Sequence, residues 1–240
     1  MLINISIFLR PVIYLFFKGN KFTDPIDGKS YRKFLPYGYG KQRENALSPG
    51  TLSLERHRQM WLYLQNETDF FTQNYKVLHI APEQEFLRKF KKMKNLEYTS
   101  ADLFSPIVDV KADILDLPFE DESFDVIFCN HVLEHIVDDR KAMSELYRVM
   151  RKGGWGILQV PMKNSLEKTY EDFSITEAKE RQKHFGQYDH VRWYGMDYFE
   201  RLKSVGFEAN VNFYSQQFST EEQKRYGLNT NEILPLVFKH

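Results

Sequence analysis

From Lys76 onward the chain alternates short apolar runs with helix-period segments, and that rhythm admits few folds. The strand candidates are "KVLHIA", "LEYTSA", "VDVKAD", "FDVIFCN" and "GWGILQVP". One helix is expected after Gln84, with Phe86, Phe90 and Met93 on one face. A second is expected from Asp139 to Met150, with Ala142, Leu146 and Val149 at core spacing and "RKGG" as its stop. Strands alternating with helices predict an α/β fold with a parallel sheet and crossover helices. Residues 162–194 are polar and too long for an ordinary connection, so a lid or binding segment is expected there. The helix "MDYFERLKSVG" and the strands "FEANVNFY" and "ILPLVFKH" close the chain.

The N-terminal part follows other rules. Residues 2–17, "LINISIFLRPVIYLFF", are mostly apolar but broken by Arg10 and Pro11, and fall short of the ~20 residues that span a bilayer. They lack a basic leader and a small-residue cleavage site, so no signal peptide is expected. Two readings stay open for residues 1–18: an interfacial helix on a membrane surface, or a helix packed on the protein itself. Residues 19–52, with "DPIDGKS" and "LPYGYGKQ", read as an irregular module. "SLERHRQMWLYLQ" then opens a domain expected over 53–240, with Ser53 as helix N-cap and Met60, Trp61 and Leu64 as its apolar face. A chain of 240 residues with 33 basic and 33 acidic side chains has no net field to draw it to nucleic acid. Its single cysteine, Cys129, excludes an internal disulfide framework and a thiolate zinc cluster.

In open parallel sheets the ligand lies beyond the carboxyl ends of the strands, near the switch in strand order. Those ends here carry Ala81-Pro82-Glu83, Asp102-Leu103, Asp113-Ile114 and Asn130-His131. A carboxylate after the second strand can accept both hydroxyls of a ribose, which is the role expected of Asp102. Asp113 is placed to take the exocyclic amine of an adenine. An acidic crevice disfavours phosphates and suits a nucleoside with a cationic group, such as a sulfonium beside Glu83. The competing explanation is that both aspartates merely cap turns.

The stretch "KADILDLPFEDESFDVIFCNHVLEHIVDDRKAMSELYRVMRKGGWGILQVP" resembles the central half of a class I, S-adenosylmethionine-dependent methyltransferase of the type 11 group. The likeness rests on "D-x-LPF" before "SFD", "HVLEH" after the fourth strand, and a helix ending in "GG". "VLHIAPE", "SLERHR", "FGQYDHVRWYG" and the closing helix resemble one bacterial subfamily, and the likeness covers nearly the whole chain. It implies a Rossmann-like, mostly parallel seven-stranded sheet with an antiparallel last strand, and S-adenosylmethionine as cofactor. The implied contacts are Ala81, Pro82, Glu83, Asp102, Leu103, Asp113, Ile114 and Asn130. The subfamily writes its first turn as "APE", so the missing glycines do not imply a dead site. Ala81 still allows close approach, and Glu83 offers a carboxylate to the cofactor's amino-acid end. The subfamily's N-terminal module resembles a zinc knuckle with paired cysteines. Here Asp24, Asp27, Ser48 and Thr51 stand in those places, a poor set for tetrahedral zinc. No metal is expected.

"HVLEH", from His131 to His135, formally matches H-x-x-E-H, the inverted zinc-protease signature. That chemistry needs a helix to turn both histidines to one metal, whereas this stretch follows directly on a strand. A zinc hydrolase is therefore the weaker rival, and a cofactor-binding protein without turnover is the other. If the methyl acceptor is a hydroxyl, a base helps, and His131 and His190 are the candidates. Tyr188 and Trp193 are expected to wall an acceptor pocket, with Arg192 holding an anionic group. The acceptor is expected to be a small-molecule or glycan hydroxyl. A cytoplasmic location is expected, with any peripheral membrane contact made through residues 1–18.

Overall fold

The computed structural model describes residues 12–38 and 42–240, so residues 1–11 of the apolar N-terminal segment lie outside the described residues. Contacts divide the chain into two units: Met1–Phe71 with Phe213–Glu232, and Thr72–Asn212 with Ile233–His240. The helix expected to open the second domain at residue 53 thus groups with the N-terminal module instead.

In the first unit a helical stretch α1 (12–17) leads into β1 (Lys18–Asp24), paired antiparallel with β2 (Lys29–Tyr31). β3 (Leu35–Tyr37) pairs antiparallel with β4 (Arg43–Leu47). Phe22, Tyr31 and Phe34 make a small aromatic core. Helix α2 (Glu55–Asn66) starts one residue later than an N-cap at Ser53 implies. Leu54 is the N-cap, its N–H given to His57 Nδ1 at 3.1 Å, because the Ser53 hydroxyl is spent on Asp24 at 3.1 Å. Asp24 is fully buried and also accepts from the Thr51 hydroxyl and from the Ile26 N–H at 2.9 Å. Asp27 accepts from the Tyr31 hydroxyl at 2.6 Å, and Ser48 bonds the Ser53 carbonyl through its own N–H at 2.9 Å. The four polar residues singled out in this module are therefore knotted by hydrogen bonds. On α2 the buried Arg58 donates to the carbonyls of Ser53 (2.7 Å), Ala46 (3.0 Å), Tyr226 (2.6 Å) and Gly227 (2.7 Å). Burial pulls its pKa down to about 10, which leaves it charged at neutral pH.

The second unit is built on seven strands: β5 (Tyr75–Ile80), β6 (Leu96–Asp102), β7 (Val110–Lys111), β8 (Phe124–Cys129), β9 (Met150–Ile157), β12 (Glu208–Asn210) and β13 (Leu236–Phe238). Their order is β12-β13-β9-β8-β5-β6-β7. β5 to β9 pair in parallel, and β13 runs antiparallel to both β9 and β12. This is the Rossmann-like sheet expected from the sequence. Val77, Leu78, Val126, Ile127 and Phe128 are all fully buried, as central parallel strands covered on both faces require. The chain leaves β5 in one direction for β6 and later returns on its other side as β8. That reversal opens a crevice at the carboxyl ends of these strands.

Helix α3 (Gln84–Phe90) buries Phe86, Leu87 and Phe90; Met93 lies beyond its end. Helix α4 (Asp139–Val149) is capped by Asp138, which accepts the Lys141 N–H at 3.0 Å, and buries Ala142, Met143, Leu146 and Val149. "RKGG" does not stop this helix. It lies inside β9, where Gly153 takes φ +77° and the register against β8 shifts. A Cβ on Gly154 would sit 2.9 Å from the Asp125 carbonyl, and one on Gly156 would sit 2.5 Å from the Ile127 carbonyl, so strand approach rather than capping demands glycine at both.

The polar stretch 162–194 carries structure of its own: β10 (Tyr170–Glu171) pairs antiparallel with β11 (Arg192–Trp193), and α5 (Ala178–Phe185) lies between them. Helix α6 (Tyr198–Ser204) follows.

Glu145 on α4 is held by Arg148, whose two nitrogens reach its carboxylate at 3.0 and 2.8 Å, and it accepts the Leu117 N–H at 2.9 Å. The Arg148 bond pulls the Glu145 pKa down to about 2 from an unfolded value of 4.5. A depressed carboxylate stabilises the fold above its unfolded pKa and loses that contribution as pH falls toward its folded pKa. Glu145→Gln is therefore expected to lower the denaturation midpoint at pH 7. The gap to the parent should narrow between pH 5 and pH 3. Urea titrations across that range that show a constant gap would refute the assignment.

Candidate active site

A cavity of about 450 Å³ opens in the crevice, within the range of small-molecule sites (about 300–1,000 Å³). Its floor is strand-end backbone: Ile80 and Ala81 after β5, Asp102 to Phe104 after β6, and Ala112 to Ile114 after β7. Its far side is the loop after β8, with His131, Val132, His135 and Ile136, joined by Asp189.

The glycine-free turn achieves by strain what glycine does freely. Ala81 sits at φ +45°, in the left-handed region that costs a residue with a Cβ roughly 1–2 kcal/mol. Its N–H bonds the Ala101 carbonyl at 2.8 Å, which fixes the turn against β6. Pro82 and Glu83 do not line the cavity. Glu83 instead reaches the Nε2 of His79 at 3.0 Å, and the Nδ1 of that fully buried imidazole meets the Tyr98 hydroxyl at 2.9 Å. The carboxylate expected to meet the cofactor's amino-acid end thus braces the first strand.

Both aspartates hold turns, yet each with one oxygen only. Asp102 Oδ1 accepts the N–H groups of Phe104 and Ser105 at 2.7 and 2.6 Å. Asp113 Oδ1 accepts from Leu115 at 2.9 Å. Their Oδ2 atoms make no hydrogen bond to a described residue, and both side chains line the cavity between Leu103, Phe104 and Ile114. Turn-holding and ligand-binding are compatible here: the first aims the second. Asn130 does not line the cavity; its Oδ1 lies 3.4 Å from the Gln159 N–H and ties β8 to β9.

The loop after β8 holds the main departures from expectation. His131 takes φ +56°, and only a three-residue turn, Leu133–His135, is helical. The "HVLEH" stretch therefore lacks the α-helical repeat a zinc protease uses. Glu134 is fully buried, and its Oε1 lies 3.2 Å from His131 Nδ1, 4.0 Å from His135 Nε2 and 4.0 Å from His190 Nε2. Burial pushes the Glu134 carboxyl up, but the His131 hydrogen bond and the neighbouring imidazoles outweigh it and bring it below its ordinary value. Its Oε2 and the Nε2 of His131 are buried without hydrogen-bond partners. Glu134 was legible only as part of a false signature, and no sequence pattern linked it to His190.

None of Tyr188, His190, Arg192 and Trp193 lines the cavity; from that stretch only Asp189, which was not expected, does. His190 is buried behind Glu134, its Nδ1 on the Phe185 carbonyl at 3.2 Å; burial lowers its pKa. It is not positioned to touch a molecule in the cavity. Arg192 is fully buried rather than open to an anion. Its guanidinium donates to the carbonyls of Leu133 (3.1 Å), Ile136 (2.6 Å) and Val137 (2.8 Å), and to Glu171 at 2.9 Å. Tyr188 is exposed and Trp193 carries Lys163 at 4.5 Å over its ring; neither lines the cavity. Reach along the chain was read correctly only to the loop, because burial of Arg192 depends on carbonyls 55 to 59 residues away.

Residues 62–158 match the sequence profile of a family described as a methyltransferase domain. A demethylmenaquinone methyltransferase of Clavibacter sepedonicus is 47% identical over 45 residues, which is 19% of this chain and 18% of that one. The chain spans less than half the length of the first curated relatives it matches. Among solved structures, an S-adenosylmethionine-dependent methyltransferase from Mesorhizobium loti superposes with a TM-score of 0.50 at 12% identity, covering 75% of this chain and 96% of that one. The cyclase SpnF superposes with a TM-score of 0.51 at 15% identity, covering 89% of each chain. These likenesses concern the fold alone. The strand order and crevice are those of a Rossmann-like class I methyltransferase fold, and residues 62–158 match the methyltransferase-domain profile.

Proposed function

We propose that the protein transfers a methyl group from S-adenosylmethionine to a hydroxyl-bearing small molecule, with Asp102, Asp113 and His131 as the working side chains. The observation that carries this reading is the pair of aspartates on adjacent strand ends, each lining one cavity and each with one carboxylate oxygen left over from the turn it holds. Asp102 would take the ribose hydroxyls and Asp113 the adenine amine, with Leu103 and Ile114 against the base. When bound, the cofactor supplies an electrophilic methyl group on a cationic sulfur. Two carboxyl side chains in the crevice favour that cation.

His131 is the base in this reading. Its Nδ1 faces an ionised carboxylate, Glu134, so the proton sits on Nδ1 and the Nε2 lone pair is left to accept one. Glu134 is thus a positioning residue that fixes the tautomer. His190, the other expected base, is set aside because it does not line the cavity, whereas His131 does. The apolar walls at Leu103, Phe104, Val132 and Ile136 suit a flat or aliphatic acceptor better than a glycan. The names of matched relatives, a demethylmenaquinone methyltransferase and a ubiquinone/menaquinone C-methyltransferase, support a quinone-type acceptor in its reduced form, whose hydroxyl proton must leave to make the ring carbon a nucleophile.

Hydrogen bonds to charged groups are worth roughly 1.5–3 kcal/mol each. Asp102→Ala is expected to weaken S-adenosylhomocysteine binding by at least about tenfold in calorimetric titration. Asp113→Asn retains an acceptor oxygen and should cost less. Parental affinity in both variants would misplace the site. His131→Gln should lower turnover to S-adenosylhomocysteine by about 10²–10⁴, measured with reduced demethylmenaquinone as the first acceptor offered. An unchanged rate would move the base elsewhere.

The apolar N-terminal segment supports a peripheral membrane contact. No described helix is long and apolar enough to cross a membrane, but Leu15 and Phe16 on α1 are 74% and 68% exposed. Lys18 and Lys21 follow them directly. Cosedimentation with anionic vesicles is expected for the parent and should be lost on replacing Leu15 and Phe16 with serine. A parent that ignores vesicles would end this part of the reading.

A further inference from the structure

Glu134, His135 and His190 come from two segments far apart in sequence, yet their ligand atoms lie within 4.8 Å of one another. Each imidazole is already oriented by its other nitrogen. His190 Nδ1 meets the Phe185 carbonyl at 3.2 Å, and His135 Nδ1 meets the Asp189 carbonyl and carboxylate, both at 3.4 Å. A ring whose Nδ1–H is given to an acceptor presents a bare lone pair at Nε2. Both Nε2 atoms face the same Glu134 oxygen at 4.0 Å. Two lone pairs against a buried carboxylate repel unless a cation lies between them.

A proton does not fill that gap. At 4.0 Å an N–H···O contact is no hydrogen bond, which needs about 2.7–3.2 Å. A metal bridge with bonds of about 2.0–2.2 Å spans about 3.4 Å at a tetrahedral angle and about 4 Å when opened toward a line. Small rotations of the three side chains therefore suffice. Glu134 is also fully buried; the oxygen facing both imidazoles is Oε1, and the second carboxylate oxygen, Oε2, has no hydrogen-bond partner. Such an orphan is costly in a native fold.

We propose that Glu134, His135 and His190 bind one divalent transition-metal ion of the zinc class, with an open coordination position on the cavity side, where His135 lines the wall. Two imidazoles and a carboxylate are a borderline-soft set that favours zinc, cobalt or iron(II) over magnesium or calcium. Three protein ligands leave room for a water or an acceptor hydroxyl. With an ion held there, His131 Nε2 would take that hydroxyl's proton, the electron pair so freed would form the new bond to the methyl carbon, and the carbon–sulfur bond would break to leave a neutral thioether. That role rests on the methyl-transfer reading; binding of the ion does not.

The test is cobalt(II) titration of the metal-stripped full chain, read by visible d–d absorption, with zinc content measured by mass spectrometry after dialysis. One equivalent of either ion is expected in the parent. His190→Gln and His135→Gln should each weaken uptake by at least about a hundredfold, since even outer-shell partners of a metal site are worth about 10–100-fold. His190→Gln, which leaves the cavity wall intact, should keep the parent's S-adenosylhomocysteine affinity and its circular dichroism. A parent that retains no stoichiometric cobalt or zinc overturns the proposal. So does a His190→Gln protein with the parent's stoichiometry and spectrum. Failure of S-adenosylhomocysteine to bind a parent that holds cobalt would instead sink the methyl-transfer reading and leave the metal site standing.

Discussion

The geometry of the candidate site hangs on one buried guanidinium. Arg192 has no access to solvent, and it satisfies three consecutive-turn carbonyls, those of Leu133, Ile136 and Val137, that would otherwise be stranded in the loop after β8. Its charge is balanced by Glu171 at 2.9 Å and Asp139 at 3.4 Å, and Arg201 bridges the same two carboxylates at 2.8 and 3.0 Å. Removing one partner from a network like this leaves an uncompensated buried charge, worth about 3–5 kcal/mol. The loop is also stitched from the other side, where the Val191 N–H bonds the Glu134 carbonyl at 2.9 Å. A loop that would be mobile by composition is thereby held as firmly as a strand, and it carries His131, Glu134 and His135.

The period of the hydrophobic pattern made the sheet legible, because central parallel strands are apolar on both faces and leave little ambiguity. The strand ends were equally legible, since a polar residue directly after such a run has few places to be. Asp102 and Asp113 could be picked out for that reason. What could not be read was anything decided by contacts across the sequence. "RKGG" looks like a helix stop, but Gly154 answers to the Asp125 carbonyl of a neighbouring strand, and Gly153 to its own positive φ. Arg192 and His190 look like acceptor residues, but burial behind the β8 loop reassigns both. Ser53 looks like a cap, but a buried aspartate competes for its hydroxyl and wins.

Local strain gathers at the crevice. Ala81 and His131, on the two central strand ends, both occupy left-handed backbone conformations without being glycine. Each residue of this kind costs on the order of 1–3 kcal/mol and persists only where its surroundings over-determine it. At Ala81 the surroundings are the Ala101 carbonyl and the β6 ladder; at His131 they are the Gln159 carbonyl at 2.7 Å and the Glu134 carboxylate at 3.2 Å. Both residues line the cavity, whereas Glu122, the other described residue of this kind in the unit, lies away from it.

The hydrogen-bonded knot around Asp24 has a consequence for how the chain behaves in a cell. A small irregular module closed by metal and thiolates folds only when metal is supplied and sulfur is reduced. Here the closure is made by Asp24, Thr51 and Ser53 with no sulfur at all, and the chain's one cysteine is locked in the core of the other unit. The knot itself therefore contains no thiolate whose oxidation, or whose loss of a bound metal, would open it.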